Sequence, residues 1–262
     1  MSGSPTSRRY GLAIIGTCAL LGVLVLAPAG GNGDSQAAAP PKSTKIDLAD
    51  LAGLRADAAK DVRPPATDHG LPPIVMSIKT SDRVVFLTID DGITADPKVA
   101  DIIRATGIPV TPFLTESVTT KSRDFFSSIR DTTGQSVQNH TISHPHMAGL
   151  TVANQVKQIC PTSDDYQKWY GTRPWLFRPP YGEHSRATQQ AAANCGIKFV
   201  VGWDATLPGS NLVTALDGKL SSGDIILTHW RPDLYKDLPG LLKKIKDQGF
   251  KIAALQDYLP AG

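Results

Sequence analysis

From residue 83 onward, short apolar runs alternate with stretches whose apolar residues recur at helical spacing. The runs RVVFLTI (83–89), IPVTPFL (108–114), QSVQN (135–139), WLFR (175–178), IKFVVGW (197–203), DIILTH (224–229) and FKIAAL (250–255) predict strands. Between them PKVADIIRATG, SRDFFSSIRDTTG, TVANQVKQICPTSDDYQKWYG, SRATQQAAANCG and LPGLLKKIKDQG predict helices, and most of these close on a glycine suited to a left-handed cap. Strand and helix in alternation predict an α/β fold with a parallel sheet under helices. The number of units predicts a compact, deformed (β/α) barrel of about seven strands, with a flat doubly wound sheet as the alternative.

The pattern changes before this region. Residues 1–29 place Arg8 and Arg9 ahead of an uncharged run, GLAIIGTCALLGVLVLAP, that ends at the small-residue site Ala27-Pro28-Ala29. That order predicts a secretory signal peptide cleaved after Ala29; an uncleaved anchor is the alternative, and it would be the chain's only link to a membrane. SRRYGL (7–12) resembles a twin-arginine signal. Cys18 lies inside the apolar run and is read as packing, not lipidation. Residues 30–78, rich in Pro, Ala and Gly, read as a tether in which IDLADLAGLRADAAK forms at most one short helix. The domain proper is placed at 79–262.

Composition changes the picture in two places. The formal charge of +3 falls to +1 without residues 1–29, which hold two Arg and no acid, since 25 basic residues then face 24 acidic ones. A near-neutral domain argues against a nucleic-acid partner, and a monomer is expected. Cys160 and Cys195 remain after processing; in an oxidising compartment they form either a bridge or two buried thiols.

In a parallel barrel, the residues just past the carboxyl ends of the strands converge on one mouth. Those positions here hold Asp90, Asp91 and Gly92; Asn139, His140 and His144; Arg178, Pro179, Pro180 and Tyr181; Trp203 and Asp204; and His229. Titratable residues on five strand ends mark a candidate site. The Asp-Asp-Gly sequence is either a turn or a bend that carries both carboxylates into the mouth. One carboxylate with the imidazoles of His140 and His144 would make a three-ligand metal site with open positions. No Gly-x-Ser-x-Gly elbow or Cys-His pair offers a covalent route.

LTIDDG, NHTISH, FRPPYG and IILTHW occur in the order and approximate spacing of the NodB-homology polysaccharide deacetylases (carbohydrate esterase family four), which residues 79–260 resemble. The resemblance implies metal-dependent hydrolysis of N- or O-acetyl groups on a sugar polymer. It implies Asp90 as general base, Asp91, His140 and His144 as metal ligands, Arg178 as the residue orienting the catalytic carboxylate and His229 as general acid. It also implies that the Tyr181 backbone N–H binds the oxyanion and that Leu227 lines the acetyl pocket. Pro179, Pro180, Tyr181 and Trp203 would face substrate. Zinc suits two His and one Asp, and cobalt or nickel would also fit.

The chain departs from the family pattern at Ile89, where a Phe is usual, at Trp230, where an Asp is frequent, and in one longer segment. GWDATLPG (202–209) has Asp204 directly after Trp203, Thr206 where an acid is expected, and no second Trp. Asp204 either substitutes for the acid that tunes His229 or caps a turn. The expected substrates are acetylated cell-wall or chitin-type N-acetylglucosamine polymers; a silent sugar-binding domain and an O-acetyl xylan esterase are the alternatives. Of the other histidines, His146 is expected beside the metal site and not in it, and His184 on a loop.

Overall fold

The computed structural model describes residues 46–67 and 69–261. The segment expected to be a signal, Cys18 and the tether up to residue 45 lie outside the described residues. Ten strands form one sheet: β1 (Ile74–Val75), β2 (Val84–Asp91), β3 (Thr111–Leu114), β4 (Gln138–Asn139), β5 (Leu176–Phe177), β6 (Phe199–Val201), β7 (Ala205–Thr206), β8 (Val213–Thr214), β9 (Ile225–His229) and β10 (Lys251–Ile252). The helices are α1 (Pro97–Thr106), α2 (Glu116–Thr119), α3 (Arg123–Thr133), α4 (Val152–Tyr170), α5 (Arg186–Asn194), α6 (Leu234–Asp247) and α7 (Leu255–Tyr258). None of these helices is long and apolar enough to cross a membrane.

The strand order is β1-β6-β5-β4-β3-β2-β9-β7-β8, with β10 paired to the start of β2, and every pairing but β7–β8 is parallel. Alternation along the strands divides the core into two layers. Val84, Phe86, Phe113, Leu176, Phe199, Val201 and Ile225 pack together inside the curl of the sheet. Val85, Leu87, Ile89 and Ile226 meet the apolar faces of α1, α3 and α6 outside it. The sheet curls back on itself where Ser77, just after β1, bridges Asp224, just before β9. Gly223 permits that approach, because a Cβ there would run into the carbonyl of Ile78. The result is the deformed barrel, although β10 flanks the path that the seventh expected strand would have joined, and β1 ends it instead.

The reading of 30–78 as a tether needs correction from residue 46 on. Leu51 and Leu54 are buried against the outer core layer, and the segment Ala49–Leu51 is a single 3-10 turn. The chain then lies along β10, with Ile252 N donating to Leu54 O at 2.7 Å and Ala56 N to Ile252 O at 2.8 Å. The Asp82 carboxylate next accepts from Lys60 N at 2.9 Å and Asp61 N at 3.0 Å. These contacts are made across long sequence separations, so no local period announces them. Cys160 and Cys195 form a disulfide that joins α4 to the end of α5.

Candidate active site

The site begins where β2 ends. Thr88 and Asp90 share the inner face of the strand, and the backbone then turns through left-handed conformations at Asp91 (φ 71°) and Gly92 (φ 91°). The glycine is required twice over: its φ disfavours any side chain, and a Cβ would collide with Thr119. Asp91 departs from the strand in a conformation few non-glycine residues hold, which directs both carboxylates to one side.

Asp90 is fixed from below. Arg178 Nη1 donates to Asp90 Oδ1 and to Thr88 Oγ1, each at 2.7 Å, while Nη2 donates to Gly202 O at 2.9 Å and Nε to Val201 O at 3.3 Å. The guanidinium also lies 4.3 Å from the Phe113 ring centroid. Arg178 is fully buried; burial lowers its pKa from the ordinary value, while the Asp90 charge and hydrogen bond act to raise it. A buried charge in this position is tolerable because four of its five N–H donors are answered, one of them by a carboxylate.

Three ligand atoms from Asp91, His140 and His144 converge within 4.8 Å of one another. His140 Nε2 and His144 Nε2 each lie 3.4 Å from Asp91 Oδ1. His140 Nδ1–H donates to Arg178 O at 2.6 Å, so a neutral His140 turns the lone pair of Nε2 toward the carboxylate. Asp91 Oδ1 is buried and has no hydrogen-bond partner. Acceptors facing one another around an unsatisfied buried oxygen fit a divalent cation, and the set of two imidazoles and one carboxylate leaves further coordination positions open. Burial pushes the Asp91 pKa up, but the imidazoles of His140, His229 and His144 around it outweigh burial and hold the group below the ordinary carboxylate value. His144 is lowered by burial first and by the His140 charge second, which favours the neutral form a ligand needs.

β9 supplies the opposite wall. His229 stands in register with Asp90 on the neighbouring strand, and Leu227 with Thr88. By strand alternation Leu227 and His229 face the same interior as Thr88 and Asp90. Pro179 and Pro180 are buried, and the turn they begin holds Tyr181 at φ 60° with 56% of its surface exposed. Trp203, partly buried, closes against Gly182, where a Cβ would come within 2.9 Å of the indole.

The polysaccharide deacetylase family model matches residues 77–200. An uncharacterized protein of Streptomyces coelicolor is 38% identical over 250 residues, covering 92% of this chain and 94% of its own length. The chain belongs to the polysaccharide deacetylase family. A peptidoglycan N-acetylglucosamine deacetylase of Bacillus cereus is 26% identical, over 65% of this chain and 66% of its own length. Among solved structures, a pseudoenzyme of carbohydrate esterase family four from Bacillus anthracis superposes with a TM-score of 0.62 at 20% identity, over 72% of this chain and 70% of that one, and shares the fold.

Within this member of the family the strand-end residues assemble at one mouth, with the exception of Asp204. Its Oδ1 accepts from Ile225 N at 2.9 Å, at the entry of β9 and four residues before His229, or about 13 Å along an extended strand. Asp204 is therefore a brace at the start of β9. Burial and the neighbouring charge of Asp224 push its pKa up to about 7. The His229 ring has no hydrogen bond among the described residues, and Trp230 beside it is wholly buried, edge-on to Phe125 and Phe126.

His184 is an exposed loop residue whose Nδ1 contacts Gly182 O at 2.9 Å. His146 stays out of the ligand set and contacts Glu183 Oε1 at 2.8 Å. Sequence reasoning missed Thr88, Thr141 and Glu183. Thr141, at φ 74°, accepts from His144 N at 3.0 Å through Oγ1, and Asn139 Oδ1 accepts from Thr141 N at 2.9 Å. These are supports across the loop, and only the position of Thr141 between His140 and His144 hints at them.

Proposed function

We propose that this deacetylase is exported and hydrolyses N-acetyl groups of cell-wall or chitin-type N-acetylglucosamine polymers with a divalent cation, zinc before cobalt or nickel. The observation that carries the reading is the convergence of Asp91, His140 and His144 beside an Arg178-bound Asp90. The B. cereus relative's activity on peptidoglycan supports the substrate class, and the apolar run after Arg8 and Arg9 supports export.

A divalent cation held by the three side chains would polarise the acetyl carbonyl and make water nucleophilic at neutral pH. Arg178 occupies Asp90 Oδ1 and leaves Oδ2 to accept the proton of the attacking water. The backbone N–H of Tyr181 offers a donor for the oxyanion. As the C–N bond breaks, His229 on the neighbouring strand delivers a proton to the departing nitrogen, yielding acetate and the free amine. Leu227, inward and buried between the two walls, bounds the space for the acetyl methyl.

A second reading, a sugar-binding domain without turnover, is favoured by one observation: among the described residues no carboxylate hydrogen-bonds the His229 ring. Acetate release from N-acetylglucosamine oligomers, measured before and after chelation and after metal is restored, separates the two. Metal-dependent release supports the deacetylase; sugar binding without release at any pH supports the silent domain. Release that persists unchanged in metal-free protein would remove the mechanism, and preference for O-acetyl xylan would move the substrate assignment.

A further inference from the structure

The two imidazoles of the metal cluster are supported differently. His140 has its second ring nitrogen anchored on Arg178 O at 2.6 Å, the usual way of fixing a ligand's tautomer and orientation. The His144 ring makes no hydrogen bond to another residue among the described residues apart from its approach to Asp91. What holds it is packing. The Tyr181 ring meets it edge to face with centroids 4.7 Å apart and planes at 73°.

Tyr181 is exposed and sits in a left-handed conformation, so its own position needs support. That support is His146, which lies flat on the Tyr181 ring with centroids 4.1 Å apart and planes at 13°. Glu183 then fixes His146. Its Oε1 is 2.8 Å from His146 Nδ1, and its Oε2 accepts from Ala148 N at 3.1 Å. Both carboxylate oxygens are thereby committed, one to the ring and one to the backbone just beyond it.

We propose that Glu183, His146 and Tyr181 form a strut that positions the His144 ring for metal binding, with His146 and Glu183 acting as positioning residues that touch neither metal nor substrate. The proposal rests on the reading of Asp91, His140 and His144 as ligands. It gives the third histidine of NHTISHPHM a task distinct from that of its neighbours. A flat aromatic ring at 146 is the essential feature; its hydrogen bond to Glu183 sets the ring's angle.

The test is zinc affinity of the full chain by chelator competition, with wild type, His146→Ala, His146→Phe and Glu183→Gln compared. His146→Ala should weaken zinc binding about tenfold, in the range for supports behind a metal ligand. His146→Phe should restore affinity to within about threefold of wild type, because stacking survives, and Glu183→Gln should fall between. Wild-type affinity in His146→Ala, or failure of His146→Phe to improve on His146→Ala, would overturn the strut. Crystal structures of metal-free wild type and His146→Ala provide a readout independent of zinc and of turnover. The alanine variant should lose the Tyr181–His144 contact, and an unchanged contact also overturns the proposal. If wild type binds zinc yet releases no acetate, the proposed function fails while the strut is still decided by these measurements.

Discussion

Arg178 Nη1 lies 2.7 Å from Asp90 Oδ1, and neither side chain is more than 2% exposed. Such a pair exists because Arg178, just past β5, reaches the penultimate carboxylate of β2 through the barrel interior, where Phe113 and two backbone carbonyls shape a socket for the guanidinium. Arg178→Met should lower stability by about 3–5 kcal/mol in urea denaturation, since it strands a buried carboxylate. Asp90→Asn keeps the shape and removes the base. It should cut kcat by about 10² to 10⁴-fold and disturb metal affinity far less than Asp91→Asn, compared by chelator competition.

Metal affinity should depend on pH through the imidazoles. His144 is held below the ordinary 6.5 by burial and by the His140 charge, and Asp91 below its ordinary 3.8. Both ligands are therefore already in the binding form at pH 7, and protons compete only in more acidic solution. Calorimetric titration should show affinity nearly constant above neutrality and falling below about pH 6. A plateau extending unchanged to pH 4 would contradict the ligand set.

Asp204 makes an opposite prediction about stability. Its folded pKa of about 7 lies above the ordinary 3.8, so the ionised fold is penalised as pH rises. The stability associated with its protonated form is full below 3.8 and is lost as pH climbs through 7. Asp204→Asn should accordingly raise the melting temperature at pH 8 and lose that advantage under acid conditions. Because Asp204 binds Ile225 N and not His229, the substitution should leave the pH profile of kcat in place.

The Cys160–Cys195 bridge closes a loop with a sequence separation of 35 residues. In the chain-entropy account a loop of that length stabilises by about 4 kcal/mol. The double variant Cys160→Ser with Cys195→Ser should show a loss of that order by chemical denaturation. Equal stability of variant and wild type would mean that the α4–α5 packing around Ile159, Ala191 and Ala192 suffices alone.

The alternation of apolar runs with amphipathic stretches determined the parallel α/β layout, because strand and helix periods are local properties of side-chain direction. The strand-end positions brought forward Asp90, Asp91, His140 and His144 together, because in a parallel barrel carboxyl ends must converge whatever the loops do; the choice between the two carboxylates came from the family resemblance. Other features were decided only by tertiary structure. Asp204 follows Trp203 in sequence yet braces the entry of β9, since after β6 the chain passes into β7, which pairs in parallel with β9. Residues 46–78 resemble a linker in composition but pack on the barrel through partners far along the chain, such as Ile252. Likewise the left-handed backbones of Asp91, Thr141, His144 and Tyr181 leave no mark on the sequence. They are conformations that local preference opposes, and the surrounding hydrogen bonds and packing across the mouth hold them.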